Sequence, residues 1–305
     1  MIELLQVIFI GIAQGIGEFL PISSSGHNAV IEHLFERLGN SLTNDSSEFV
    51  KLNILLHVGS LVAVLIVFRQ RIINMLTKDF RLIPMLIVAT IPVVVVGYPI
   101  HKFAPWIQDS LPLISICFIV TGILLFATLR CPEGEKTTFT MSWKDALIIG
   151  CAQSVAILPG LSRSGTTIVV ALFCKLKREE AAAFSFILSI PVIAGSGLLE
   201  LHSMLKEEQP EASTASLSNG LLFVGVLASC IAGILALVFL LDWLKKGKLW
   251  YFAIWVFLMS PLTMALWLTE PNVATEEHLQ EPAEVRMFDQ SDGKTPKPFT
   301  SLFGK

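Results

Sequence analysis

The chain has 305 residues, of which 53% are hydrophobic and 15% charged, with a mean hydropathy of +0.68. That composition excludes an ordinary soluble domain and points to a polytopic membrane protein. The net charge of -3 resides in residues 270–305, with seven acids against four bases; residues 1–269 balance at 18 against 18, which leaves no basic surface for nucleic acid.

No Lys or Arg precedes Arg37, and Glu3 sits where a secretory leader would be basic, so the first apolar segment is expected to stay in the mature protein. Within it, IGIAQGIGEFLPISSSGH (10–27) is an apolar half interrupted by Pro21 and three serines, with a shorter half beyond. Six stretches then suit a hydrocarbon core that takes about 20 helical residues. They are 52–68, 82–100, 111–129, 181–201, 220–241 and 249–268, the first being the weakest because it is short and holds Asn53 and His57. Between the third and fourth, IGCAQSVAILPGLSRSGT (149–166) forms a second interrupted segment. Trp243, Trp250 and Trp255 near the last spans read as interface anchors and packing. The five cysteines lack CxxC spacing, and four lie in apolar segments where small buried thiols are expected. The tail, 269–305, is polar, rich in Pro and Glu, and reads as disordered.

The two interrupted segments are related. Shifted by 139 residues they align without a gap, with identities at Ile10/Ile149, Gly11/Gly150, Ala13/Ala152, Gln14/Gln153, Ser23/Ser162, Ser25/Ser164 and Gly26/Gly165. A break facing lipid would leave backbone groups unsatisfied, so each copy is expected to be a re-entrant hairpin enclosed by protein or water. Three spans follow each hairpin, and an odd number forces the second to enter from the opposite face. The basic residues of 69–81, 130–144, 175–180 and 245–248 then share one side, the cytoplasmic one, which places both termini outside the cytoplasm. The expected fold is all-α: six transmembrane helices plus two re-entrant hairpins in an inverted-topology repeat, about 1–130 and 140–268, forming one domain over 1–268. Such repeats place a binding site at their interface, near the midplane.

Gln14 and Glu18 are four apart and share a helix face. Ser23, Ser24 and Ser25 suit the cap of the next helix, as do Ser162 and Ser164 in the second copy, and a Gly- and Ser-rich helix start favours an anion. With Arg163 as a planar fork donor, two such starts describe a phosphate or diphosphate cradle. Glu18 repels phosphate unless it holds a metal or a proton, which suggests chemistry. Ser24 or Ser25 can then act as nucleophile, His27 as proton carrier or phosphoryl acceptor, and Arg163 as the stabiliser of transferring oxygens. Against this, a serine in an apolar helix more often caps, above all Ser23 and Ser162, and His27 can be a satisfied buried histidine. His57 and Glu200 are assigned no catalytic role.

EFLPISSSGH and PGLSRSGTT closely resemble the two signature segments of the bacterial undecaprenyl-diphosphate phosphatases of the bacitracin-resistance type. ATIPVVVVG (89–97), MSWKDALIIGCAQ (141–153) and AFSFILSIP (183–191) are also similar, and the resemblance covers about residues 1–268. It implies an inner-membrane hydrolase that removes the terminal phosphate of a C55 polyprenyl diphosphate, recycles the lipid carrier for peptidoglycan synthesis and confers bacitracin resistance. It further implies Mg2+ or Ca2+, with Glu18 as ligand, and an active site reached from the outer face. Carried onto this chain, the catalytic positions are Glu18, Ser24, His27 and Arg163. Ser25, Gly26, Ser162, Ser164, Gly165 and Thr166 are substrate-binding. The choice between Ser and His as nucleophile stays open. Expected partners are the polyprenyl diphosphate and membrane lipid, with a homodimer left open. The chain departs from the family pattern at Gln14, where a second glutamate is usual, and at Val256, where an arginine is usual. A catalytically altered paralogue and a lipid-phosphate or anion transporter therefore remain as alternatives. A membrane phosphatase of the other large class is disfavoured, because SRSGTTIVVALF lacks its histidine.

Overall fold

A computed structural model describes residues 2–39, 46–78, 80–104, 107–108, 110–206 and 217–269. The expected tail from 270 onward lies outside the described residues. These fold into helices without a named strand: α1 (Ile2–Phe19), α2 (Ser24–Arg37), α3 (Ser46–Val67), α4 (Arg69–Thr77), α5 (Leu82–Phe103), α6 (Leu111–Ala127), α7 (Trp143–Val155), α8 (Arg163–Phe173), α9 (Arg178–Lys206), α10 (Asn219–Lys245) and α11 (Tyr251–Leu268).

Among the described residues, five helices are long and apolar enough to cross a membrane: α5, α6, α9, α10 and α11. The sixth expected span is a bent pair, since α4 leaves the end of α3 at 70°. Residues 69–77, expected as a loop, are helical because Ile72 and Met75 pack on the core while Arg69, Gln70 and Asn74 stay in a polar setting. Large apolar side chains, among them Phe9, Ile87, Val95, Ile123, Leu235 and Leu258, stay exposed along these helices. Apolar surface on that scale is stable against hydrocarbon and not against water, so the chain is a multi-pass membrane protein.

The two interrupted segments are helix-turn-helix units. The first helix ends at Phe19 and α2 begins at Ser24; α7 ends at Val155 and α8 begins at Arg163. Ser23 and Ser162 cap the second helix of each unit, as expected, accepting hydrogen bonds from the Gly26 and Gly165 amides at 3.3 and 3.1 Å. The turns touch through their glycines. A Cβ on Gly26 would lie 2.8 Å from the Cα of Gly160, and one on Gly165 would lie 3.1 Å from the Cβ of Pro21. These two contacts are reciprocal under the 139-residue shift, which carries Pro21 to 160 and Gly26 to 165. Thr121 of α6 pins the second turn, donating to the Gly160 carbonyl and accepting from the Ser162 amide, both at 3.0 Å. Around the units, α1 packs on α10 and α7 on α5, while Phe19, Phe68, Phe118, Phe184 and Phe186 fill the main apolar core.

The four basic stretches are tied to one another. Arg71 forks onto Glu180, which also accepts from Thr138; Arg81 donates to the Phe139 and Met141 carbonyls; Lys245 pairs with Glu179 at 3.2 Å. In the same region Asp145 closes a capping box with Ser142 at the start of α7 and accepts from Lys136 at 2.8 Å. Burial pushes the Asp145 carboxyl up, but the hydrogen bonds from Lys136 and Ser142 prevail and hold it below its ordinary 3.8. A depressed carboxyl stabilises the fold fully above its ordinary range, and that contribution fades as pH falls through the folded value. Asp145→Ala is therefore expected to cost about 1 kcal/mol of helix capping at pH 7. The Tm gap between the variant and the parent in detergent should shrink progressively in acid below pH 3.8; a gap independent of pH would contradict this.

Candidate active site

Glu18 is the hub. It lies one turn before the break of α1, where the chain runs against the second hairpin, and its side chain is 8% exposed. One oxygen, Oε1, accepts from Arg163 Nη2 at 2.5 Å; the other, Oε2, accepts from Ser24 Oγ at 2.9 Å and Gln14 Nε2 at 3.2 Å. The shared helix face of Gln14 and Glu18 is thus realised, and the carboxylate is joined to the arginine of the other hairpin. A pair this deep loses the hydration of both ions, which its short contact and added hydrogen bonds must offset. The second guanidinium nitrogen, Arg163 Nη1, is buried and has no partner among the described residues, and the same holds for Thr166 Oγ1. Arg163 and Thr166 are three apart on α8 and share a face.

The remaining expected residues fall into two sets. Ser25 and Ser164 occupy matching places, each 3.3 or 3.2 Å from its capping serine, Ser23 or Ser162; Ser164 also donates to the Leu20 carbonyl of the first turn at 3.3 Å. Gly26 and Gly165 form the close turn contacts already described. His27 is engaged at both ring nitrogens, by the Ser23 carbonyl at 2.8 Å and by the Trp255 indole at 2.9 Å. Trp255 is therefore more than an interface anchor. Its neighbour Val256, at the position where an arginine is usual, is buried in the apolar core.

Sequence reasoning missed three polar residues around Gln14. Asn28 donates to Gln14 Oε1 at 2.8 Å and to Asn53 Oδ1 at 3.5 Å. His57 shares its Nδ1 proton with the Asn53 carbonyl at 2.8 Å and turns Nε2 toward Glu18 Oε2 at 3.8 Å. Asn53 and His57, polar residues four apart in an apolar span, repeat the spacing of Gln14 and Glu18, and that was the available signal. Gln153, the counterpart of Gln14, is buried with neither amide atom hydrogen-bonded among the described residues.

The expected divalent cation would find one carboxylate here, Glu18, and would draw its remaining ligands from phosphate and water oxygens. Mg2+ and Ca2+ take hard oxygen ligands, several of them charged. Among the described residues Glu18 is the sole carboxylate at the site's centre, with both oxygens engaged, and they hold no group of three His, Cys, Asp or Glu that suits a metal. Gln14 instead donates to the carboxylate. Gln14→Glu is therefore expected to place two repelling carboxylates side by side and to make thermal stability and activity depend on added Mg2+ or Ca2+. A melting curve unmoved by cation or chelator would refute this.

The family described as Bacitracin resistance protein BacA matches residues 7–262 of this chain. An Undecaprenyl-diphosphatase of Rhodopirellula baltica is 38% identical over 255 residues, covering 84% of this chain and 95% of the relative. Another from Carboxydothermus hydrogenoformans is 37% identical over 262 residues, covering 86% and 96%. Undecaprenyl-diphosphatase 4 of Bacillus thuringiensis is 37% identical over 267 residues, covering 87% and 98%.

Proposed function

Because the chain belongs to the bacitracin resistance protein BacA family, we propose that it hydrolyses undecaprenyl diphosphate to the monophosphate and inorganic phosphate in the bacterial inner membrane. The observation that carries the reading is the Ser24–Glu18–Arg163 chain of hydrogen bonds, with a free guanidinium nitrogen beyond it. Ser24 donates to Glu18, so the carboxylate is oriented to take the hydroxyl proton as Oγ attacks the terminal phosphorus. The bond from that phosphorus to the bridging oxygen breaks, and the oxygen keeps its electron pair and leaves on the polyprenyl monophosphate. Arg163 Nη1, Thr166 Oγ1 and the first amides of α2 and α8 supply donors for the phosphoryl oxygens. Water then cleaves the Oγ–phosphorus bond and restores the serine.

The finer architecture has support of the same kind. Helices α7 and α8 have 13 and 11 residues, which rise about 20 and 16 Å, short of a hydrocarbon core of about 30 Å. Their short lengths, the joined basic loops and the reciprocal turn contacts support two re-entrant hairpins in an inverted repeat. With the basic loops on the cytoplasmic side, the first hairpin opens outward and both termini lie outside the cytoplasm.

The test is release of phosphate from a C15 or C55 diphosphate by purified protein in detergent, with and without chelator. Release that vanishes in Ser24→Ala supports the enzyme. No release under any cation condition, with uptake of a lipid phosphate into vesicles instead, would favour a transporter.

A further inference from the structure

We propose that Trp255 is a positioning residue that acts through His27 to hold the strained Ser23 turn, and with it Ser24, in line with Glu18. The inference rests on the phosphatase reading. An indole N–H only donates, so His27 Nε2 must accept from Trp255 at 2.9 Å. A carbonyl only accepts, so His27 Nδ1 must carry the proton it shares with Ser23 O at 2.8 Å. The two partners together fix one neutral tautomer. Phe118 meets the same ring edge-on at 5.2 Å, and the indole lies within 10° of its plane.

The backbone of Ser23 explains what that lock is for. Its φ is 72°, a left-handed conformation that is strained for a non-glycine residue and persists only where the surroundings impose it. Four hydrogen bonds converge on this residue: Gly26 N–H to Oγ at 3.3 Å, the Ser25 hydroxyl with the same Oγ at 3.3 Å, His27 N–H to the carbonyl at 3.2 Å and His27 Nδ1–H to that carbonyl. The next residue is Ser24, whose hydroxyl reaches the carboxylate. The matching cap in the second hairpin, Ser162, has a relaxed φ of -66°, and the counterpart of His27 is Thr166, whose hydroxyl is unbonded among the described residues. Strain and clamp thus coincide in the hairpin that carries Glu18. The Nε2 lone pair, with which His27 would attack phosphorus or take a proton, is already occupied. His27 is a strut between α2 and α11.

The experiment pairs ring-15N histidine NMR in micelles with phosphate-release kinetics. The parent should show His27 as the Nδ1–H tautomer. Trp255 is 48% exposed, so replacing it opens no core cavity. Trp255→Phe should leave the proton on Nδ1, move the Nε2 resonance downfield as its hydrogen bond is lost, and lower kcat about five- to tenfold, the worth of one hydrogen bond, with KM nearly unchanged. Trp255→Gln, which keeps an N–H donor, should recover part of both. An unmoved Nε2 resonance in Trp255→Phe, equal damage by Phe and Gln, or an effect confined to KM would each overturn the proposal. If the parent releases no phosphate, the phosphatase reading fails separately, and the positioning role falls with it even where the Nε2 shift is seen.

Discussion

Arg163→Ala is expected to lower phosphate release about a thousandfold or more, the range seen when an arginine that stabilises a transferring phosphoryl group is removed. Two effects add here. The free Nη1 donor is lost from the site, and Glu18 is left as a buried charge without its partner. The second effect alone costs about 3–5 kcal/mol of stability when a buried pair is broken, so a lower Tm should accompany the lost activity. Arg163→Lys separates the two. An ammonium supplies the charge that Glu18 needs but lacks the planar fork that can hold a carboxylate and a phosphoryl oxygen together. The lysine variant should recover most of the Tm and little of the rate. Full activity in Arg163→Lys would show that only charge matters at this position.

Glu18→Gln should reduce kcat about 10²–10⁴-fold, the usual contribution of a positioned proton acceptor. The amide can still accept from Ser24 and sit beside Gln14, so the geometry survives while the base does not. Arg163 then lacks its counter-ion, and Tm should fall as it does in Arg163→Ala. Glu18→Asp is the sharper control. It keeps the charge, yet withdraws the carboxylate by one methylene from a hydroxyl now 2.9 Å away. Stability should be largely retained while the rate falls about a hundredfold, because displacement of about 1 Å at a reacting centre costs that much. Phosphate release and thermal melts on the same preparations check both variants. An Asp variant as active as the parent would remove Glu18 from the proton path.

Several parts of this protein could be read directly from its residues. Apolar runs of span length dictate membrane helices wherever they occur, because hydrocarbon tolerates only internally bonded backbone. The breaks at Pro21 and at Pro159–Gly160, and the caps at Ser23 and Ser162, follow from local chemistry and were found where expected. The four-residue spacing of Gln14 and Glu18 fixed a shared face, since helical geometry needs nothing beyond the helix itself. The 139-residue self-similarity pointed to two halves that belong together.

What only the tertiary structure decided concerns partners brought from afar. No local rule pairs Glu18 with Arg163, 145 positions away, or sets His57 beside the same carboxylate. The interlocking glycine turns make those meetings possible by letting the two hairpins approach at backbone distance. His27 shows the difference most clearly. By residue type it was as good a nucleophile or proton carrier as Ser24. The indole of Trp255, 228 residues away, donates to one of its ring nitrogens, a contact that no local rule could supply. Sequence determines which groups a helix can present; which of them is left free to react depends on contacts that only packing creates.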